Sequence, residues 1–227
     1  MPEYPTGIHP DENTLSLSTI SHELRNPLTL IHSTLQLIGC HYPEITQDPL
    51  WPQLILDIDY MSKLLSELSS LNASQHLNYS QIHIRHFLTN IVSTFSSTVQ
   101  NQHKTLSLNF HTSEIYLIAD SLKLREVFIN LIKNALDATE TGDQIVLDVK
   151  SRWNRLIITV SDSGSGIDSS RIATIFTPFT TYKPDGTGLG LTITKNIITA
   201  HGGSIQVYSK VGIGTKFLII LPLQPPK

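Results

Sequence analysis

The sequence predicts an α+β chain in two parts: a helical hairpin that pairs with a second copy into a four-helix bundle, then an α/β sandwich. Three observations carry this reading. Apolar residues recur at helical spacing through two long segments before residue 70. A polar stretch follows at 72–78. Beyond it, short segments of alternating character are interleaved with helical ones. The boundaries so drawn are a loose lead-in over 1–12, the hairpin over 13–73 and the sandwich over 74–227.

Each element has its own justification. The lead-in holds Pro2, Pro5 and Pro10 and few apolar side chains. Leu17, Ile20, Leu24, Leu28, Ile31 and Leu35 then fall at intervals of 3, 4, 4, 3 and 4. Tyr42, Pro43, Pro49 and Pro52 punctuate a connector. Leu54, Ile58, Met61, Leu65 and Leu68 follow at intervals of 4, 3, 4 and 3. Two such helices around a proline-bearing loop form an antiparallel hairpin. One hairpin buries little surface by itself, so the pattern predicts a homodimer. In the second part, residues 81–84 and 105–110 read as short strands with a helix near 91–99 between them, and 120–139 reads as a strong helix. Residues 145–150 and 156–161 alternate as a hairpin turning at Trp153 and Asn154. A glycine-rich stretch over 164–190 leads into a helix at 191–200. Strands at 204–209 and 215–221 flank a turn at Gly212 and Gly214.

Composition removes several classes of function. Sixteen Lys and Arg against nineteen Asp and Glu leave a net charge of −3, too mild a balance for a nucleic-acid or anionic-membrane surface. One cysteine, Cys40, cannot close an intramolecular disulfide, so a cytoplasmic chain is expected. No signal pattern opens the sequence, and the longest strongly apolar run, 217–221, is far below the roughly 20 residues of a membrane span. Ten histidines remain to be ranked.

His22 sits in S-H-E-L-R-N-P-L-T. At about 100° per residue, with Ile20 at zero, the apolar stripe centres at about 45° and His22 falls at about 200°, on the opposite, solvent-facing side with Asn26. A neutral imidazole is a nucleophile, and the adjoining Glu23 can take its proton as it attacks. Pro27 interrupts the helical hydrogen bonding one turn on. An exposed histidine on a bundle surface is the bland alternative. The other nine histidines lack this setting.

In the helix over 120–139, setting Asn130 at zero puts Asn134 at about 40° and Asp137 at about −20°, one narrow polar stripe opposite Leu124, Phe128, Leu131 and Ala135. Carboxamide oxygens one turn apart suit a hard cation that itself carries phosphates, and Lys133 borders the stripe. A solvated helix face is the other reading, although asparagine is a poor helix former. Asp162-Ser-Gly-Ser-Gly166 follows a strand; its carboxylate can accept from an exocyclic amine, and Gly164 and Gly166 permit a tight turn. Gly186-Thr187-Gly188-Leu189-Gly190 opens a helix, where backbone N–H groups can approach phosphates. No Walker A pattern is present.

In their order, the H-E-L-R-N-P-L box, the Asn-rich helix, D-x-G-x-G, F-x-P-F and G-T-G-L-G-L resemble the sensor histidine kinases of two-component systems, over residues 18–223. The resemblance implies a Bergerat-type ATP-binding sandwich, ATP and Mg²⁺ as cofactors, and a response-regulator receiver domain as partner. It makes His22 the phosphoryl acceptor, Glu23 its base, and Asn26 the residue that helps dephosphorylate the partner. Asn134 becomes the Mg²⁺ ligand, with Asn130 and Lys133 supporting the phosphates. Asp162 reads adenine in a pocket shaped by Gly164 and Gly166, while Gly186, Thr187, Gly188, Leu189 and Gly190 end the ATP lid. The lid T-P-F-T-T-Y-K-P-D-G, with Lys183 as its phosphate cation, is similar to the nitrogen-regulation and sporulation-kinase branch. That branch commonly carries an aromatic at the position of Thr180 and a threonine at that of Tyr182. The length leaves no room for a sensor domain, so the input comes from a separate sensor or regulator protein, or the chain is the core of a longer sensor. Two other functions share these motifs: a silent phosphotransfer or docking module, and a related ATPase or serine kinase that would not need His22.

Overall fold

The computed structural model describes residues 17–73, 77–112, 114–183 and 186–224, without the side chains of residues 17–19, 22, 72 and 73. The predicted lead-in, the centre of the predicted linker and two lid residues, Pro184 and Asp185, lie outside that description. The chain divides into two compact units, Met1–Asn72 and Ala73–Lys227.

The first unit is a pair of helices, α1 (Leu17–His41) and α2 (Leu50–Ala73), joined through a 3-10 turn at Pro43–Gln47. Asp48 starts α2 by accepting the Leu50 N–H through Oδ1 at 2.8 Å, a side-chain cap for an otherwise orphaned donor. The pairing is antiparallel. Arg25 donates to Ser69 Oγ at 3.1 Å near the open end, His32 meets Asp59 at 3.5 Å further along, and Gly39 lies against Trp51 beside the loop. Helix α1 continues through Pro27, which leaves the Glu23 carbonyl without its donor one turn later. Little of the apolar stripe is covered within the unit. Leu28 and Ile58 are buried, whereas Ile20, Leu24, Ile31, Leu54 and Met61 are exposed.

The second unit layers helices on one face of a mixed five-stranded sheet, in the order β2-β4-β5-β7-β6. Its strands are β2 (Thr105–Phe110), β4 (Gln144–Arg152), β5 (Arg155–Asp162), β6 (Ser204–Lys210) and β7 (Gly214–Pro222). The β2–β4 pair is parallel and the other pairs are antiparallel. Every second residue enters the core: Ile145, Leu147 and Val149 from β4, Leu156, Ile158 and Val160 from β5, and Phe217, Ile219 and Leu221 from β7. Against them lie Leu124, Phe128 and Leu131 of α5 (Ser121–Ala138) and Ile193 and Ile197 of α7 (Gly190–Ala200). Among the described residues, no helix is long and apolar enough to cross a membrane.

Three details correct the sequence reading. The helix placed near 91–99 is two helices, α3 (Ile84–Ser93) and α4 (Ser96–Asn101). Thr94 Oγ1 donates to the Ile91 carbonyl at 2.7 Å and Ser96 Oγ to that of Ser93 at 2.9 Å, so hydroxyls compete with the helical ladder where it breaks. A four-residue strand, β3 (Tyr116–Ala119), pairs with β1 (Ser80–His83), too short for alternation to reveal. A short helix, α6 (Ser169–Ile172), capped by Asp168, lies inside the glycine-rich stretch.

Candidate functional site

The site is organised around α5, which is held at both ends. Asp120 caps its start: Oδ1 accepts from the Lys123 N–H at 3.0 Å and Oδ2 from the Asn78 N–H at 2.9 Å. The Asp120 N–H donates to His201 Nε2 at 3.0 Å, while His201 Nδ1–H donates to the Ile197 carbonyl at 2.8 Å, which fixes the neutral tautomer. Burial pushes the His201 imidazole below its ordinary pKa, against the raising effect of the Ile197 hydrogen bond and the Asp120 charge. At the far end Lys104 Nζ donates to the Leu136 carbonyl at 2.7 Å, a cation at a helix C-terminus.

With its apolar face locked in the core, α5 turns Asn130, Asn134 and Asp137 to the opposite side, with Lys133 exposed beside them. Asn130 Nδ2 donates to the carbonyl of Gly190, the first residue of α7, at 3.4 Å. Lys183 Nζ reaches Asn134 Oδ1 at 3.2 Å and Asp137 Oδ2 at 2.8 Å. Two oxygens of this face therefore already hold a positive charge.

Asp162 ends β5 and is half-buried. Its Oδ1 accepts from the Gly164 N–H at 3.0 Å and the Thr215 N–H at 3.2 Å. Burial raises its carboxyl pKa; these two hydrogen bonds oppose the rise and the nearby Asp143 charge adds to it. Gly164 is buried against the C-terminus of α5, where a Cβ would stand 2.1 Å from the Ala138 carbonyl oxygen. The adjoining Ser165 N–H donates to that same oxygen at 2.9 Å. Glycine is thus demanded at 164 by the chain's own backbone, whatever ligand lies beyond.

The second glycine stretch returns along the same helix face. Gly188, at φ +71°, packs so closely on Phe179 that a Cβ would stand 2.5 Å from its carbonyl carbon. Gly186 sits against Thr181 and Lys183, and Thr187 and Leu189 are buried. Both glycine stretches and Lys183 are thereby drawn around the polar face of α5, with Gly166 on the loop beside Lys210. His22, Glu23 and Asn26 belong to the other unit, on α1; Glu23 and Asn26 are exposed, and the His22 side chain is outside the described residues. Sequence reasoning missed Thr215 as an amide donor to Asp162, because only strand register places it there. It also did not assign Asp137 a role, although the same stripe contained it.

Residues 119–225 match the family of histidine kinase-, DNA gyrase B-, and HSP90-like ATPases. Over 206 residues the chain is 34% identical to the sensor histidine kinase ZraS of Salmonella typhi, which covers 90% of this chain and 44% of that protein. It is 29% identical over 206 residues to sporulation kinase C of Bacillus subtilis (strain 168), 90% of this chain and 48% of that one. The catalytic domain of histidine kinase ThkA superposes with a TM-score of 0.61 at 26% identity, over 65% of this chain and 97% of that one. ThkA in complex with response regulator protein TrrA gives a TM-score of 0.64 at 24% identity, over 89% and 59% of the two chains. The chain spans about half the length of the curated relatives it matches. Residues 119–225 thus form a domain of the histidine kinase-, DNA gyrase B-, and HSP90-like ATPase family, and the histidine box, the asparagine-bearing helix and the two glycine stretches together make the chain similar to the sensor histidine kinases.

Proposed function

We propose that this protein is an ATP-dependent histidine kinase that phosphorylates itself on His22 and passes the phosphoryl group to an aspartate of a response regulator. The observation that supports this most is the single polar face of α5, on which Asn134 and Lys183 lie between the Asp162 loop and the start of α7. On this reading Asp162 accepts from the exocyclic amine of adenine, and its raised pKa reflects a carboxylate kept partly from water until that donor arrives. Asn130, Lys133, Lys183 and the backbone of 186–190 meet the phosphates.

The face also suits a divalent cation, since the Lys183 ammonium already rests on Asn134 Oδ1 and Asp137 Oδ2 as a positive stand-in. Among the described residues no group of three or more His, Cys, Asp or Glu could hold a metal. Magnesium held by the Asn134 oxygen would therefore complete its shell with phosphate oxygens and water, its usual preference, and would neutralise phosphate charge. The protein's remaining task is positioning. The His22 imidazole attacks the γ-phosphorus as the bond to the ADP oxygen breaks, and Glu23 takes the ring proton. The attacking imidazole must be neutral, so that a ring nitrogen offers its lone pair.

The exposed residues Ile20, Leu24, Ile31, Leu54 and Met61 support a dimer in which two hairpins form a four-helix bundle. Asn26, exposed one turn beyond His22, is assigned to the return reaction on the partner's phosphoaspartate. Incubation of the purified chain with ATP labelled in the γ-phosphate and Mg²⁺ tests the proposal: a stable phosphoryl-protein is expected. ATP turnover without protein label would favour a plain ATPase, and absence of nucleotide binding would favour a silent docking module.

A further inference from the structure

The far end of the sheet carries a feature that nucleotide chemistry does not use. Strands β4 and β5 turn at Trp153 and Asn154, both left-handed at φ +49° and +58°. That turn favours Asn-Gly, and a bulky side chain in this region is costly. Yet position 153 holds the most exposed of the large apolar side chains among the described residues, at 82%. Its indole is held by the Arg152 guanidinium, 4.0 Å from the ring centroid. Arg152 and Arg155 are paired directly across the two strands, a like-charge arrangement that itself destabilises the hairpin. Neither arginine makes an ion pair among the described residues. Three locally unfavourable choices thus coincide in four residues, offset at the tip by the Arg152–Trp153 stacking and by backbone hydrogen bonds.

The tip is braced. Leu223 N–H donates to the Asn154 carbonyl at 3.1 Å, and the Ile118 N–H donates to the Leu223 carbonyl at 3.1 Å. The outward face beside it joins cations to apolar surface: Lys150 lies opposite Ile157, Ile157 opposite Ile220, and Arg155 opposite Pro222. Leu156, Ile158 and Val160 point inward, so Arg155 and Ile157 share the open face.

We propose that this tip is a docking knob for a partner protein whose surface offers an apolar notch rimmed by Asp and Glu side chains. Charge complementarity selects an anionic partner, because Arg152 stacks on the indole, Arg155 is its cross-strand partner, and neither makes an ion pair among the described residues. The convex shape selects a concave one, and Trp and Arg are both among the residue types enriched where binding energy concentrates in protein interfaces. A bilayer would gain only two cations near its surface and one indole, too little for anchoring from a two-residue turn.

The test places the photo-crosslinker p-benzoylphenylalanine at position 153 of the full chain, in its native cells. The expected result is an adduct with a different protein, mapped to an Asp/Glu-rich segment, that falls at least about tenfold when Arg152→Glu and Arg155→Glu are combined. Arg152→Gln with Arg155→Gln serves as the second variant should the reversed pair melt early, and self-phosphorylation of the purified variants should match wild type. No adduct, an adduct with lipid or with this chain itself, a segment without acidic residues, or an adduct indifferent to both arginine pairs would overturn the proposal.

Discussion

Lys183 and Asn134 share a hydrogen bond that sets up a competition at the candidate metal position. The ammonium rests on the oxygen that a magnesium ion would need, and both it and Asp137 are substantially exposed, so the ion pair contributes at most about 1 kcal/mol. Lys183→Met should therefore leave the melting temperature almost unchanged while lowering the Mg²⁺ concentration for half-maximal labelling at saturating ATP. An unchanged Mg²⁺ requirement would refute the competition, whereas weaker ATP binding in the same variant is the expected mark of the phosphate contact assigned to Lys183. Asp162 makes the complementary case. Its folded pKa is raised, so its contribution to stability is favourable only below the unfolded pKa and is lost as pH rises through the folded value. Asp162→Asn keeps an oxygen for the Gly164 and Thr215 amides and cannot ionise. At pH 7 the variant should melt no lower than wild type, with the difference shrinking towards pH 4. Calorimetric titration should show ATP bound about 10–100-fold more weakly, the loss of one charge-assisted hydrogen bond. A variant that binds ATP normally would remove Asp162 from the adenine site.

At the scale of elements, α5 was the most legible part of the molecule, because helical periodicity states both its buried face and its polar one. The Asn130, Asn134, Asp137 stripe could be drawn from angles alone. What angles do not contain is closure by distant partners: His201 accepting the Asp120 N–H, Lys104 capping the Leu136 carbonyl, Thr215 reaching Asp162. The glycines were legible as glycines, but Gly164 answers first to the Ala138 backbone, a contact between segments far apart in sequence. The break at Thr94 and the strand β3 were illegible because hydroxyl competition and four-residue pairing leave no periodic signal. The His201 contact makes a prediction of its own. A histidine whose folded pKa is depressed supplies stability that is present above about pH 6.5 and is lost as pH falls through the folded value. His201→Ala should cost about 1–3 kcal/mol at pH 7.5 by orphaning the buried Asp120 N–H. It should also flatten the decline of the melting temperature between pH 7 and pH 5. Parallel curves for variant and wild type would contradict this role.

On the scale of the whole molecule, the motifs divide between the two units: one carries the histidine box and exposes an apolar helical face, the other gathers the asparagine-bearing helix and the glycine stretches. The hairpin's exposed stripe predicts that Ile31→Asp converts a dimer to a monomer in sedimentation velocity while ATP binding persists. A wild-type monomer at micromolar concentration would refute the bundle. The histidine box was readable only as a chain of neighbours, since His22 gains its meaning from Glu23, Asn26 and Pro27 and then from the nucleotide motifs a hundred residues away. That link between the units is the central claim, and one measurement reaches it directly. Wild type and His22→Gln are incubated with γ-labelled ATP and Mg²⁺, and the protein-bound label is challenged with acid and base. The account predicts an acid-labile, base-stable label on wild type that is absent from His22→Gln; an equal label on both, or an acid-stable one, would contradict it.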